Sequence, residues 1–168
     1  MKSLRVIPLF ALLSFALVAP AASAQGVIAI KDAKVLTVTQ GTLERGTVLI
    51  RDGKIEAVGA NIPIPREARV IDARGLWVYP GLIDAQTQLG LVEIDLVEAT
   101  RDLIEPSDPI TPHMHVRDAL HAESDLIEIT RVNGITTVLV APSETNTVSG
   151  QSSLIHLWGK NAEELLFV

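Results

Sequence analysis

The chain has 168 residues, with 14 Lys+Arg against 20 Asp+Glu for a formal net charge of −6, and no cysteine. That length bounds it to one medium domain, or to a small domain and part of another. The acidic balance has the wrong sign for a nucleic-acid binder. The missing cysteines exclude disulfides, thiolate metal sites and cysteine nucleophiles together.

Residues 1–24 form a unit of their own. Lys2 and Arg5 give a positive start, and Val6 to Val18 is mostly apolar, broken only by Pro8 and Ser14. Ala22-Ser23-Ala24 then places a small-x-small pattern before Gln25. This layout predicts a secretory signal peptide. The apolar run is well short of the ~20 residues that span a bilayer, so no membrane anchor is expected after cleavage. The expected destination is secreted or periplasmic.

From Val27 to Val78, short strands alternate with turns. Val27–Ile30 and Lys34–Thr39 are β-rich runs separated by Lys31-Asp32-Ala33. Thr47–Ile50 and Lys54–Val58 flank Arg51-Asp52-Gly53. An Asp-Gly pair between two such runs predicts a hairpin, because a type I′ turn needs positive φ at both central residues. Ile55 and Val58 cannot share one face of a strict alternation, so a bulge is expected near Gly59. Pro63 and Pro65 exclude a central strand across Asn61–Arg69. Val70–Ala73 resumes a strand, and Gly75 turns the chain before Leu76–Tyr79. Residues 25–79 are thus expected to form a small antiparallel sheet or sandwich that must bury one face on a partner.

Pro80-Gly81 breaks the pattern and sets the boundary of a second domain, residues 80–168. A new apolar run starts at Leu82-Ile83. Leu91–Pro112 is acidic and interrupted by Pro106, Pro109 and Pro112, which predicts a long loop with some helix and a solvated acidic face. Asp118–Val132 is predicted as a helix stopped by Asn133-Gly134. Ile135–Ala141 is a nearly unbroken β-branched run, expected to be buried on both faces as in parallel sheets. Helix, glycine stop and buried strand together make an α/β unit. Ser153–Leu157 is expected to begin a third strand, and Ala162–Val168 a helix.

The most informative segment is Tyr79-Pro80-Gly81-Leu82-Ile83-Asp84-Ala85-Gln86-Thr87-Gln88-Leu89-Gly90. Before it stand Asp52, Gly53, Ile55, Val58 and Gly59, then Ile71-Asp72-Ala73 and Gly75. After it comes Asn133-Gly134-Ile135-Thr136-Thr137-Val138. In this order the motifs resemble the amidohydrolase superfamily, in its imidazolonepropionase-like branch, over most of Gly26 to Val140. The resemblance implies an α/β plus β fold: a composite β-sandwich segment, then the first two or three βα units of a (β/α)8 metal-dependent hydrolase barrel. The barrel is incomplete here, since a whole one takes roughly 250 residues.

At the two positions where the family carries His-x-His, this chain has Gln86 and Gln88. Alternate residues of a strand point to one face, so the spacing still sends both side chains the same way. Zinc-like ions favour N and S donors, so the neutral amides weaken or abolish that half of a metal site. His113 and His115 share the i, i+2 spacing but lie in a proline-broken loop with no further ligands nearby. His121 and His156 stand alone and read as surface or core residues. Ser143, Thr145, Ser149 and Gln151 follow the second barrel strand, at the face where such barrels bind substrate, and are the candidate substrate contacts. No Gly-x-Ser-x-Gly elbow is present.

The resemblance implies that the catalytic acid and further metal ligands belong to later strands, so no catalytic residue is assigned in this chain. It is read as the N-terminal piece of a longer parent, not expected to catalyse alone. The parent would be an exported enzyme hydrolysing C–N bonds of small cyclic amides or dipeptides, with a divalent metal such as zinc. The expected partner is a small-molecule amide or peptide, and the resemblance leaves room for a homo-oligomer of the parent. The other reading is a non-catalytic scaffold or binding protein that has lost its first metal site.

Overall fold

The structure, a computed structural model, describes residues 26–167. The expected signal peptide lies outside the described residues. The chain divides into two units, the first ending at Val78 and the second beginning at Tyr79.

The first unit is a five-stranded mixed sheet. Its strands are β1 (Ile28–Leu36), β2 (Thr42–Arg51), β3 (Lys54–Gly59), β4 (Arg69–Asp72) and β5 (Trp77–Val78), in the order β3-β2-β1-β4 with β5 also on β1. β2 runs antiparallel to β1 and β3, but β4 and β5 run parallel to β1. The all-antiparallel expectation is therefore corrected. The Pro63–Pro65 segment cannot make a hairpin, and the chain crosses the sheet to its other edge, which reverses the sense of the next pairing. The crossing is also the cover: Ile62, Ile64 and Ala68 pack on Val27, Ala29 and Leu49. The opposite face buries Ala33, Val35, Val48 and Ala73.

The two expected runs before residue 40 are one strand. Asp32 sits at φ 61 inside β1, where the register to β2 shifts. Its Oδ1 accepts a 2.7 Å hydrogen bond from Arg45 Nε, and this guanidinium holds the Asp32 carboxyl below the usual carboxylate range. The kink is thus spliced within the strand rather than ending it. The Asp52-Gly53 turn has φ of 51 and 74 at its two residues, both positive as a type I′ turn demands. The bulge lies earlier than expected: Leu49 pairs with Ala57 and Ile50 with Ile55, so Glu56 is the extra residue. Gly53→Ala is expected to lower the melting temperature by an amount equivalent to about 1 kcal/mol, the cost of a Cβ in the left-handed region. Asp52→Asn should leave it unchanged, since Asn tolerates that region.

The second unit carries β6 (Leu82–Thr87), a 3-10 turn at Glu98–Thr100, α1 (Val116–Ala119), α2 (Asp125–Val132), β7 (Ile135–Val140), β8 (Ser153–His156) and α3 (Ala162–Leu165). The expected single helix is broken in two. Leu120 is extended, and Ser124 caps a fresh start by accepting a hydrogen bond from Leu126 N–H. α2 stops at Asn133, and Gly134 takes φ 94, as expected for the residue after a helix.

β6 and β7 are parallel, joined by the crossover that contains α1 and α2. β8 is antiparallel to β7, which corrects the reading of Ser153–Leu157 as the strand of another βα unit. Among the described residues no helix lies between β7 and β8 to carry the chain back, so their pairing is antiparallel. The core of this unit lies on one face of the sheet, where Val138, Val140 and Ile155 are fully buried. The other face is open, with Ile83 70% exposed. β7 is thus not buried on both faces as expected, because its second face is left without a covering layer among the described residues. β6 carries one extra residue against β7: Asp84 pairs with Val138, whereas Thr87 pairs with Val140.

Candidate functional site

Parallel strands joined by a crossover leave their carboxyl ends and following loops on one side, and ligands of α/β folds bind there. In the second unit that side is an open cleft of about 500 Å³ lined by Gln86, Thr87, Gln88, Ala141, Pro142, Ser143 and Glu144. Ala141 N–H donates to the Thr87 carbonyl over 2.9 Å, tying the end of β7 to the end of β6. Past the extra residue of β6, Gln86 and Gln88 turn to the cleft, while Leu89 enters the apolar core. The backbone N–H of Gln86 donates to Asp84 Oδ1 at 3.1 Å, which steadies the irregular segment.

The loop after β7 is fixed by its own polar groups. Ser143 N–H donates to the Leu103 carbonyl at 2.9 Å, and its Oγ lies 2.8 Å from Thr145 Oγ1. Asn146 Nδ2 donates to the carbonyls of Glu105 and Asp108. Ser149 Oγ donates to the Asn146 carbonyl, and Gln151 Nε2 donates to the Pro112 carbonyl at 2.9 Å. Of the four expected substrate contacts, Ser143 lines the cleft and Thr145 acts through the Ser143 hydroxyl. Ser149 and Gln151 are spent on holding the loop. Glu144 also lines the cleft, although no sequence motif points to it. The signal for it is positional, since it sits two residues beyond the Pro142 that ends the strand run.

The four histidines lie apart from the cleft. His113 is an exposed loop residue, and His115 immediately precedes α1. His121 Nδ1 lies 3.2 Å from Glu93 Oε1, and the His156 ring stacks on Phe167 at 3.6 Å.

Similar proteins and a solved structure give this geometry a family. No family model matches the chain. A crystal structure of an amidohydrolase from Thermotoga maritima superposes with a TM-score of 0.77 at 34% identity, over 83% of this chain and 36% of that one. The amidohydrolase tasK of Hapsidospora irregularis is 29% identical over 120 residues, which is 69% of this chain and 12% of that protein. An adenine deaminase of Listeria monocytogenes is 24% identical over 127 residues, 76% of this chain and 17% of that protein. The chain belongs to the amidohydrolase superfamily, and it spans only a minor part of the length of each of these relatives.

A divalent metal, as the superfamily implies, does not fit the donors that this chain places at the cleft. They are two neutral carboxamides, the hydroxyls of Thr87 and Ser143 and one carboxylate, with no imidazole. Zinc-like ions select nitrogen and sulfur donors. Among the described residues no group of three His, Asp or Glu could hold a metal ion.

Proposed function

We propose that this chain is the N-terminal part of an exported hydrolase that cleaves C–N bonds of small, neutral, nitrogen-containing compounds, and that it is inactive by itself. In this reading residues 25–79 belong to a composite β-sandwich, and residues 80–168 begin a (β/α)8 barrel whose catalytic groups and divalent-metal ligands come from strands beyond it. The observation that carries the reading is the cleft at the carboxyl ends of parallel β6 and β7, lined by polar side chains rather than by core residues. A relative that bears the name adenine deaminase supports a small nitrogen heterocycle or amide as the substrate class.

Within this chain, Ser143 and Glu144 are the groups that would orient such a substrate, Glu144 by accepting a hydrogen bond from an N–H and Ser143 by donating to a carbonyl. The second reading, a non-catalytic binding scaffold, is favoured by Gln86 and Gln88 standing where the family's paired histidines would be. The deciding experiment is to express the full-length protein and assay it against cyclic amides and dipeptides for released amine or ammonia. Turnover, with a product 24 residues shorter than the translated chain in the periplasm or medium, is the expected result. A correctly folded full-length protein that turns over none of the panel would replace the enzyme with the scaffold.

A further inference from the structure

Gln86 and Gln88 differ from the other side-chain amides of their unit. Asn133 Nδ2 donates to the Ile129 carbonyl, Asn146 bridges two loop carbonyls, Gln151 holds Pro112, and Asn161 caps α3. Each of those amides has structural work. Among the described residues Gln86 and Gln88 have no side-chain hydrogen-bond partner, and both are exposed in one cleft beside Ser143 and Glu144. A carboxamide presents a donor and an acceptor side by side. Its complement is a planar group with the same pair reversed, such as the N–H and C=O edge of a cis-amide ring.

The geometry points to a metal-free recognition subsite in which Gln86 and Gln88, with Ser143 and Glu144, bind the edge of a neutral lactam or cyclic ureide. Three features select this class. The amides offer both donors and acceptors but no charge. Among the described residues Glu144 is the only charged group lining the cleft, so an anionic ligand is repelled. The donors are too poor for a zinc-like ion to compete for the same space. The inference rests on the reading of this cleft as the ligand-binding end, and it changes what the β6 position does there: it holds the substrate's amide edge instead of a metal.

The test uses the full-length protein and two probes, 2-pyrrolidone as the simplest cis-lactam and zinc alone. Lactam binding is followed by ligand-observed NMR, and zinc by elemental analysis after dialysis. Gln86→Ala with Gln88→Ala is expected to raise the lactam Kd at least tenfold and to leave the zinc content unchanged. Gln86→Glu with Gln88→Glu keeps the side-chain size, removes the donors and should weaken the lactam equally. An unchanged lactam Kd in both variants overturns the subsite. So does the loss of one equivalent of zinc in the alanine variant, which would make β6 a metal position after all. Glutamine-dependent lactam binding without any hydrolysis would uphold the subsite and defeat the enzyme reading, so the two fail separately.

Discussion

Gly150→Ala is expected to cost about 2–4 kcal/mol, the sum of a left-handed backbone penalty and a steric overlap that cannot relax. Gly150 has φ +100, and an added Cβ would lie 2.7 Å from the backbone oxygen of Met114. That oxygen is not free to move. It accepts the Gln151 N–H at 2.9 Å, while the Gln151 carbonyl accepts the Val116 N–H at 3.0 Å. The methyl would therefore push against a two-bond clamp that fixes the start of α1. Gly134 provides the control, with φ +94 but nothing within 4 Å of the place a Cβ would take. Gly134→Ala should show only the backbone share, about 1–2 kcal/mol. Urea unfolding reads both as shifts in midpoint at constant slope. Equal losses at the two glycines would mean that the Met114 clamp yields and that the overlap is relieved.

Ile155→Ala should be comparably severe, about 2–5 kcal/mol. Ile155 is fully buried on β8 and pairs with Val138, itself fully buried on β7. Truncation there removes apolar contact and leaves a cavity between rigid strands, which collapse poorly around a void. Its neighbour Leu154 points to the open face and is 39% exposed, so Leu154→Ala should cost less than about 1 kcal/mol. Thermal unfolding of the two variants gives the comparison. A small effect at Ile155 would show that the second unit does not rely on this layer. β7 and the segment that follows β6 share this core through Val138 and Leu89, so the same truncation should also loosen lactam binding.

Local chemistry made part of this legible from residues alone. Asp52-Gly53 demanded its turn because two consecutive positive φ values leave few alternatives. Asn133-Gly134 ended α2 for a similar reason, and the β-branched run from Ile135 could only be a strand. Pairing partners were harder to read, because they are decided across the chain. Nothing in Val70–Ala73 says that it will lie parallel to β1, and nothing in Ser153–Leu157 says that it will reverse against β7. The break at Leu120–Ser124 was hidden because apolar spacing continues through it, while the cap at Ser124 depends on a side chain choosing a backbone partner. At the candidate site, Gln86 and Gln88 were marked by the family resemblance, and the spacing added only that they share a direction. Ser149 and Gln151 looked the same as Ser143 in sequence, but the loop closed on the first two and left the third free to face the cleft.

The single extra residue in β6 sets the direction in which the carboxamides of the cleft point. Strict alternation from Asp84, which shares a face with Val138 in the core, would carry Gln86 and Gln88 into the apolar interior. The insertion reverses that alternation, so even-numbered positions beyond it look outward. Deleting Ala85 would remove the extra residue together with its reversal, so Gln86 and Gln88 would keep their outward direction, and substituting Ala85 would also leave every direction intact. Direction at these positions is thus set by the backbone alone, so a side chain of different chemistry at 86 or 88 would keep the same aim.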